Sequence, residues 1–187
     1  MQPNMQHQKS HVLVTYFSRR GRTQRMAEEV AAGGAEVAET LLTLKTVADV
    51  TAEDLLQADG IVIGSPVYFG TLSAAVKSFI EDWQFQFDFY PSYPLRDKVG
   101  AAFATGGQQS GGQELAMLSI LSAMLHQRMI VISGESPLGA SAETECKDEP
   151  LSKAELTEAR SLGRRVAQLA AILNTHKPSE VVSPDDD

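Results

Sequence analysis

The chain has 187 residues, 43% of them hydrophobic, and a formal net charge of −8. That length suits one domain with one substantial core, and the acidity argues against nucleic acid, whose binding needs clustered Lys and Arg that release counterions. No apolar run approaches the roughly 18–20 residues of a membrane helix, and the start, Met1 to Ser10, is polar with none of the apolar stretch of a secretory signal. The expectation is a soluble, cytoplasmic protein with no integral membrane segment. The single cysteine, Cys146, has no partner for a disulfide and no CxxC neighbour for zinc, so no metal site is expected. Residues 1–10 and the acidic tail 175–187 read as disordered, which leaves 11–174 as the domain.

Four short apolar runs, Val12–Phe17, Ile61–Ile63, Val99–Ala104 and Met129–Ile132, have the length and flanking turns of buried strands. The stretch Glu36–Leu44 alternates and predicts a weaker fifth. Between them lie segments of helical period: Met26, Ala27, Val30 and Ala31; then Leu72, Ala75, Val76, Phe79, Ile80 and Trp83; then Met117, Leu118, Leu121, Met124 and Leu125. Ser152 with Glu155 three residues on forms a capping box that opens a last helix through Leu173. The irregular stretches 84–97 and 135–151 read as loops. Strands alternating with helices predict an α/β fold, a doubly wound five-stranded parallel sheet covered on both faces. Ligands of such sheets bind beyond the carboxyl ends of the strands.

Three loops therefore carry the functional reading. The first, Ser18-Arg19-Arg20-Gly21-Arg22-Thr23, opens directly into a helix and offers hydroxyls, backbone N–H groups and guanidinium groups, which suits a phosphate; a plain helix cap is the alternative. It is no dinucleotide fingerprint, since GxGxxG is missing. The second, Gly64-Ser65-Pro66-Val67-Tyr68-Phe69-Gly70, is stiffened by Pro66 and turned by Gly70, and its amides and aromatics suit a flat heteroaromatic ring or a cap on the core. The third, Thr105-Gly106-Gly107-Gln108-Gln109-Ser110-Gly111-Gly112-Gln113, lets backbone approach a ligand closely. Gly106 and Gly111 have the spacing of a P-loop, but Gly112 stands where its lysine belongs, which disfavours ATP.

At these residues the chain resembles the flavodoxin-like superfamily, and within it the WrbA-type NAD(P)H:quinone oxidoreductases. The likeness covers roughly 11–174 and rests on Tyr16-Phe17-Ser18 with Gly21, on Gly64 to Gly70, on Gly111-Gly112-Gln113-Glu114, on Leu125-His126, and on Pro137-Leu138-Gly139-Ala140-Ser141. It implies the strand order 2-1-3-4-5 and a bound FMN. Ser18, Arg20, Gly21, Arg22 and Thr23 would surround its phosphate, with Pro66, Val67, Tyr68, Phe69 and Gly70 along its ring. Thr105, Gly106, Gly107, Gln108, Gln109, Ser110 and Gly111 would complete the ring site, with His126 as a flavin-contacting histidine. Read without the resemblance, a histidine there is a helix cap or a surface residue. One of Arg20 and Arg22 is the alternative partner of a nicotinamide nucleotide's phosphate.

The resemblance implies an enzyme that oxidises NAD(P)H and reduces a quinone-like acceptor by two electrons. A flavodoxin-type one-electron carrier between protein partners is the alternative. The sequence leans toward the enzyme because the third loop has no aromatic residue to shield the ring. No catalytic acid, base or nucleophile is identified. Aromatic residues concentrated at 83–93, among them Trp83, Phe85, Phe87, Phe89, Tyr90 and Tyr93, predict a homodimer or homotetramer. The chain lacks the family's long insertion after the second strand, which bears on assembly and acceptor.

Overall fold

The computed structural model describes residues 9–143 and 150–175; the readings made for residues 1–8, for Cys146 and for 176–187 lie outside it. The chain runs β1 (Ser10–Tyr16), α1 (Arg22–Ala35), β2 (Thr40–Thr46), α2 (Ala52–Gln57), β3 (Gly60–Tyr68), β4 (Thr71–Leu72), α3 (Ala74–Phe85), β5 (Val99–Gly106), α4 (Gln113–His126), β6 (Ile130–Val131), β7 (Ala140–Glu143) and α5 (Lys153–Thr175). The sheet order is β2-β1-β3-β5-β6, and the joins along this path are parallel. That is the expected 2-1-3-4-5 arrangement of a flavodoxin-like fold. Two small pieces extend it: β4 folds back antiparallel on the end of β3, and β7 runs parallel to the end of β5.

The fifth strand position is thus shared. β6 pairs with Val99 and Gly100 at the start of β5, while β7 pairs with Phe103 to Gly106 at its end. The predicted run Met129–Ile132 holds only the first half, and the second lies inside a stretch expected to be loop.

Alternation along the strands sorts the core into two layers. Leu13, Ile61, Ile63, Ala102 and Ala104 face one way, against Val76, Phe79 and Trp83 of α3 and Ala116, Ile120 and Met124 of α4. Val12, Val14, Val62, Ala101 and Phe103 face the other, against Met26 and Val30 of α1 and Leu162 and Val166 of α5. α1 and α5 are held together further by Arg160, which donates to Glu29 (2.8 Å) and Glu36 (2.6 Å), and by Arg164 on Glu36.

Helix starts follow the local sequence. Ser152 and Glu155 form the predicted reciprocal cap, the Glu155 carboxylate accepting from the Ser152 N–H at 2.6 Å. α2, which periodicity did not predict, is opened by a capping box of Thr51 and Asp54. α3 starts two residues later than Leu72 because Ser73 caps it, accepting from the Val76 N–H.

Candidate functional site

The first and third loops are each followed by a helix whose first turn has no side-chain cap. Gly21 precedes α1 at φ 82°, and Gly112 precedes α4 at φ 115°; both are left-handed conformations that glycine adopts without strain. Neither helix start is closed by a hydroxyl or carboxylate, so its N–H groups and partial positive charge face outward. The α3 start on the same side of the sheet is closed by Ser73.

The three loops are fastened together. Thr23 and Thr105, both buried, share a hydrogen bond of 2.8 Å between their hydroxyls, joining the first loop to the third. The Phe17 N–H donates to Gly64 O at 3.2 Å, joining the first strand's exit to β3. Gly112 lies so close to the carbonyl of Gly70 that a Cβ would overlap it, which seats the third loop on the tip of the second. Within the third loop, buried Gln113 donates to Gln108 O at 2.9 Å.

Between them opens a cavity of about 400 Å³ lined by Ser18, Arg19, Arg20, Arg22, Thr23, Pro66, Val67, Tyr68, Thr105, Gly106 and Gly107. Its volume is within the range of small-molecule and cofactor sites. Three of these residues are arginines and none is acidic. The Ser18 hydroxyl is buried with no hydrogen-bond partner among the described residues. At the end of β1, burial, then Glu28 and Asp49, push the Tyr16 phenol above its ordinary pKa, so it stays neutral.

Several expected site residues take other positions. Gly21 shapes the helix start and does not line the cavity. Gly70, Gln108, Gln109, Ser110 and Gly111 stand outside the lining, in the rim formed by the second and third loops. Phe69 is fully exposed at the hairpin tip, with φ 49°. His126 is not brought to this site within one chain. It ends α4, 14 residues from the start, so roughly 20 Å of helix separates it from the glycine loop. There it stacks on Tyr93, ring centroids 6.4 Å apart, and lines a different cavity with Trp83, Phe85 and Tyr90. Arg19, which the sequence reading did not single out, is part of the lining; its place between Ser18 and Arg20 was the available signal.

The aromatic stretch at 83–93 is also divided. Trp83 and Phe89 are buried in the core, whereas Phe85 and Tyr90 are exposed. Among the described residues no group of three or more His, Cys, Asp or Glu is placed to hold a metal, and no helix is long and apolar enough to cross a membrane.

Comparison with known proteins accords with this geometry. The chain matches the NADPH-dependent FMN reductase family over residues 10–143. It is 35% identical over 165 residues to a flavodoxin of Aquifex aeolicus, covering 86% of this chain and 87% of that one. It is 32% identical to NAD(P)H dehydrogenase (quinone) 3 of Rhizobium meliloti, covering 91% and 98%. Among solved structures it is similar to a flavodoxin, WrbA-like protein from Agrobacterium tumefaciens, with TM-score 0.73 and 27% identity over 86% of this chain and 97% of that one. With a match that spans most of its length and a sheet that carries the expected loops on one side, the chain belongs to the NADPH-dependent FMN reductase family.

Proposed function

We propose that the protein is an FMN-dependent NAD(P)H:quinone oxidoreductase, with the three-loop cavity as its flavin site. The observation that carries the reading is the cavity itself: two uncapped helix starts, three arginines, no carboxylate and an unpartnered buried hydroxyl on one side of the sheet. The helix starts and the Ser18 hydroxyl are hydrogen-bond donors with no side-chain acceptor among the described residues, the arginines make the cavity positive, and a phosphate with a polar ring supplies acceptors and negative charge. The residues present fit FMN.

Ser18, Arg22, Thr23 and the N–H groups after Gly21 would hold the phosphate. Pro66, Val67 and Tyr68 on one side, and Thr105, Gly106 and Gly107 on the other, would hold the ring. When bound, FMN supplies the redox chemistry, taking a hydride from NAD(P)H and returning two electrons to the acceptor. The protein binds and orients: backbone N–H groups of the second and third loops would face the ring's polar edge and stabilise negative charge developing there. The third loop, with Gly107 to Ser110 exposed and no aromatic among them, leaves one face open to a nicotinamide or a quinone in turn. That openness favours the reductase over a one-electron carrier.

The same reading includes a homodimer or homotetramer. α4 is apolar on both faces: Ile120 and Met124 enter the core, while Leu115, Leu118 and Leu125 are exposed beside Ser119 and Ser122. A second copy packed antiparallel along this face covers it and carries its own His126 toward the glycine loop, the position that the flavin-contacting histidine requires. Sedimentation of a Leu118→Glu variant should give a lighter species than the parent; a monomer mass near 20.2 kDa for both would end the assembly proposal.

Purification without added cofactor tests the central reading. The expected result is a yellow protein, or one that quenches FMN fluorescence at one equivalent, and that oxidises NAD(P)H when benzoquinone is supplied. A colourless protein indifferent to FMN overturns it.

A further inference from the structure

We propose that the cavity at the far end of α4 binds a neutral phenol, a flat ring carrying a hydroxyl, at a site separate from the flavin site. The cavity has a volume of about 250 Å³, and its lining includes Trp83, Phe85, Tyr90, Tyr93, His126 and Gln127. A space of about 150 Å³ already admits a benzene ring. The 14 residues of α4 set it roughly 20 Å from the glycine loop. It shares no lining residue with the flavin cavity.

Two of these side chains carry polar atoms that the fold leaves unused. Among the described residues, the Trp83 indole N–H is buried with no acceptor, and the Gln127 side-chain carbonyl is buried with no donor. Trp83 is 2% exposed and Gln127 8%. Their backbones are satisfied: the Phe89 N–H donates to Trp83 O at 2.8 Å, and the Gln127 N–H donates to Ala123 O at 3.1 Å. Buried donors and acceptors are nearly always paired. One unmet group of each kind among the residues of a single cavity points to an occupant that accepts from the first and donates to the second.

The rest of the lining sets the class of that occupant. Lys77 is paired with Glu81, so these two charges offset each other within the lining and favour a neutral ligand. The aromatic walls are braced by their neighbours. Tyr90 and Tyr93 meet edge to face at 5.7 Å, His126 stacks on Tyr93 at 6.4 Å, and Phe79 meets Trp83 edge to face at 5.9 Å. Water could meet the two polar atoms, whereas a flat ring also gains contact with these walls. A hydroxyl is the smallest group that both accepts and donates. Quinone and ether oxygens only accept, so the cavity would tell a phenol, or a hydroquinone, from either.

The test uses the full-length, FMN-loaded protein, isotope-labelled for heteronuclear NMR. Trp83 is the only tryptophan in the chain, so a single indole N–H resonance reports on this cavity. Flavin absorbance in the same samples reports on the other site. Phenol, anisole and toluene are titrated in turn. Phenol should move the indole resonance downfield, saturably, and bind at least tenfold tighter than anisole or toluene. In Gln127→Leu, phenol should weaken at least tenfold while toluene stays within twofold. Tyr90→Ala, at a half-exposed wall position, should weaken all three rings. Four results overturn the proposal: no saturable indole shift with phenol, phenol and toluene of equal affinity, phenol binding unchanged in Gln127→Leu, or phenol that perturbs the flavin spectrum and leaves the indole unmoved. The contrast of phenol with anisole in the parent decides the matter even where Gln127→Leu does not fold. If the protein takes up no FMN, the flavin-site reading fails, while the indole titration still decides this site.

Discussion

The two ends of the β-sheet dispose of their polar groups in opposite ways. At the amino end, the His11 N–H donates to the Asp59 carboxylate at 2.9 Å, and the His11 ring shares a 2.8 Å hydrogen bond with Thr43. Lys98 donates to the carbonyls of Leu56 and Ala58, and the backbone of Asp59 takes the Val99 N–H. At the carboxyl end, Gly21 and Gly112 leave helix starts open, and the Ser18 hydroxyl is buried without a partner among the described residues. An unmet buried hydroxyl costs about 1–3 kcal/mol, and an open helix start forgoes about 1 kcal/mol of capping. The sheet needs one end to close the fold, and it keeps the other for something outside the chain.

The largest expected effect comes from closing the open end by force. Gly112→Ala places a Cβ against the Gly70 carbonyl at a positive φ, and it should cost about 2–3 kcal/mol in urea unfolding while displacing FMN. If stability and FMN affinity both survive, the second and third loops are not seated as described. Next is Ser18→Ala, which should loosen FMN about tenfold, or about 1.4 kcal/mol, without lowering the stability of the cofactor-free protein. An apo-protein destabilised by that substitution would mean that the hydroxyl serves the fold. Ser73→Ala supplies the reverse case. It removes a cap that the protein already uses, so apo-stability should fall by about 1 kcal/mol with FMN affinity kept within about twofold.

The smallest effect tests the closed end. Burial lowers the His11 pKa below its ordinary 6.5, with Asp59 and Asp54 opposing in part. As pH falls, the unfolded histidine protonates first. The stability contributed by neutral His11 is therefore complete above about pH 6.5 and is lost as pH drops through the folded value. Urea midpoints at pH 7.5 and 5.5 should differ in this direction, and His11→Asn should flatten the difference. Glu36, held low by hydrogen bonds from Arg160 and then Arg164, acts below its ordinary 4.5, in a separate window.

Much of this contrast was legible before any coordinates. The apolar runs located β1, β3 and β5, and strand–helix alternation put the three loops at one end. What escaped was either short or set by tertiary contact. α2 has six residues and too little periodicity to register, although Thr51 and Asp54 spelled its capping box. β4 and β7 exist because β3 and β5 offer them partners. The predicted strand at Glu36–Leu44 began four residues early because α1 continues to Ala35 and a turn precedes Thr40. That Ser18 is without a partner depends on neighbours far away in sequence, so no local pattern announces it. His126 was different: a 14-residue helix starting at the glycine loop already places its last residue far from that loop.

The divided fifth position has a consequence for self-association. On that margin of the sheet the outermost ladder consists of two residues of β6 and four of β7, separated by 132–139. Such fragments are poor templates for the backbone of another chain. The opposite margin is β2, seven residues without interruption, with Leu41 and Leu44 exposed. When the protein is heated, strand-by-strand aggregation should therefore begin from β2, and a charge there, as in Leu41→Lys, should delay light scattering more than any change at β6 or β7.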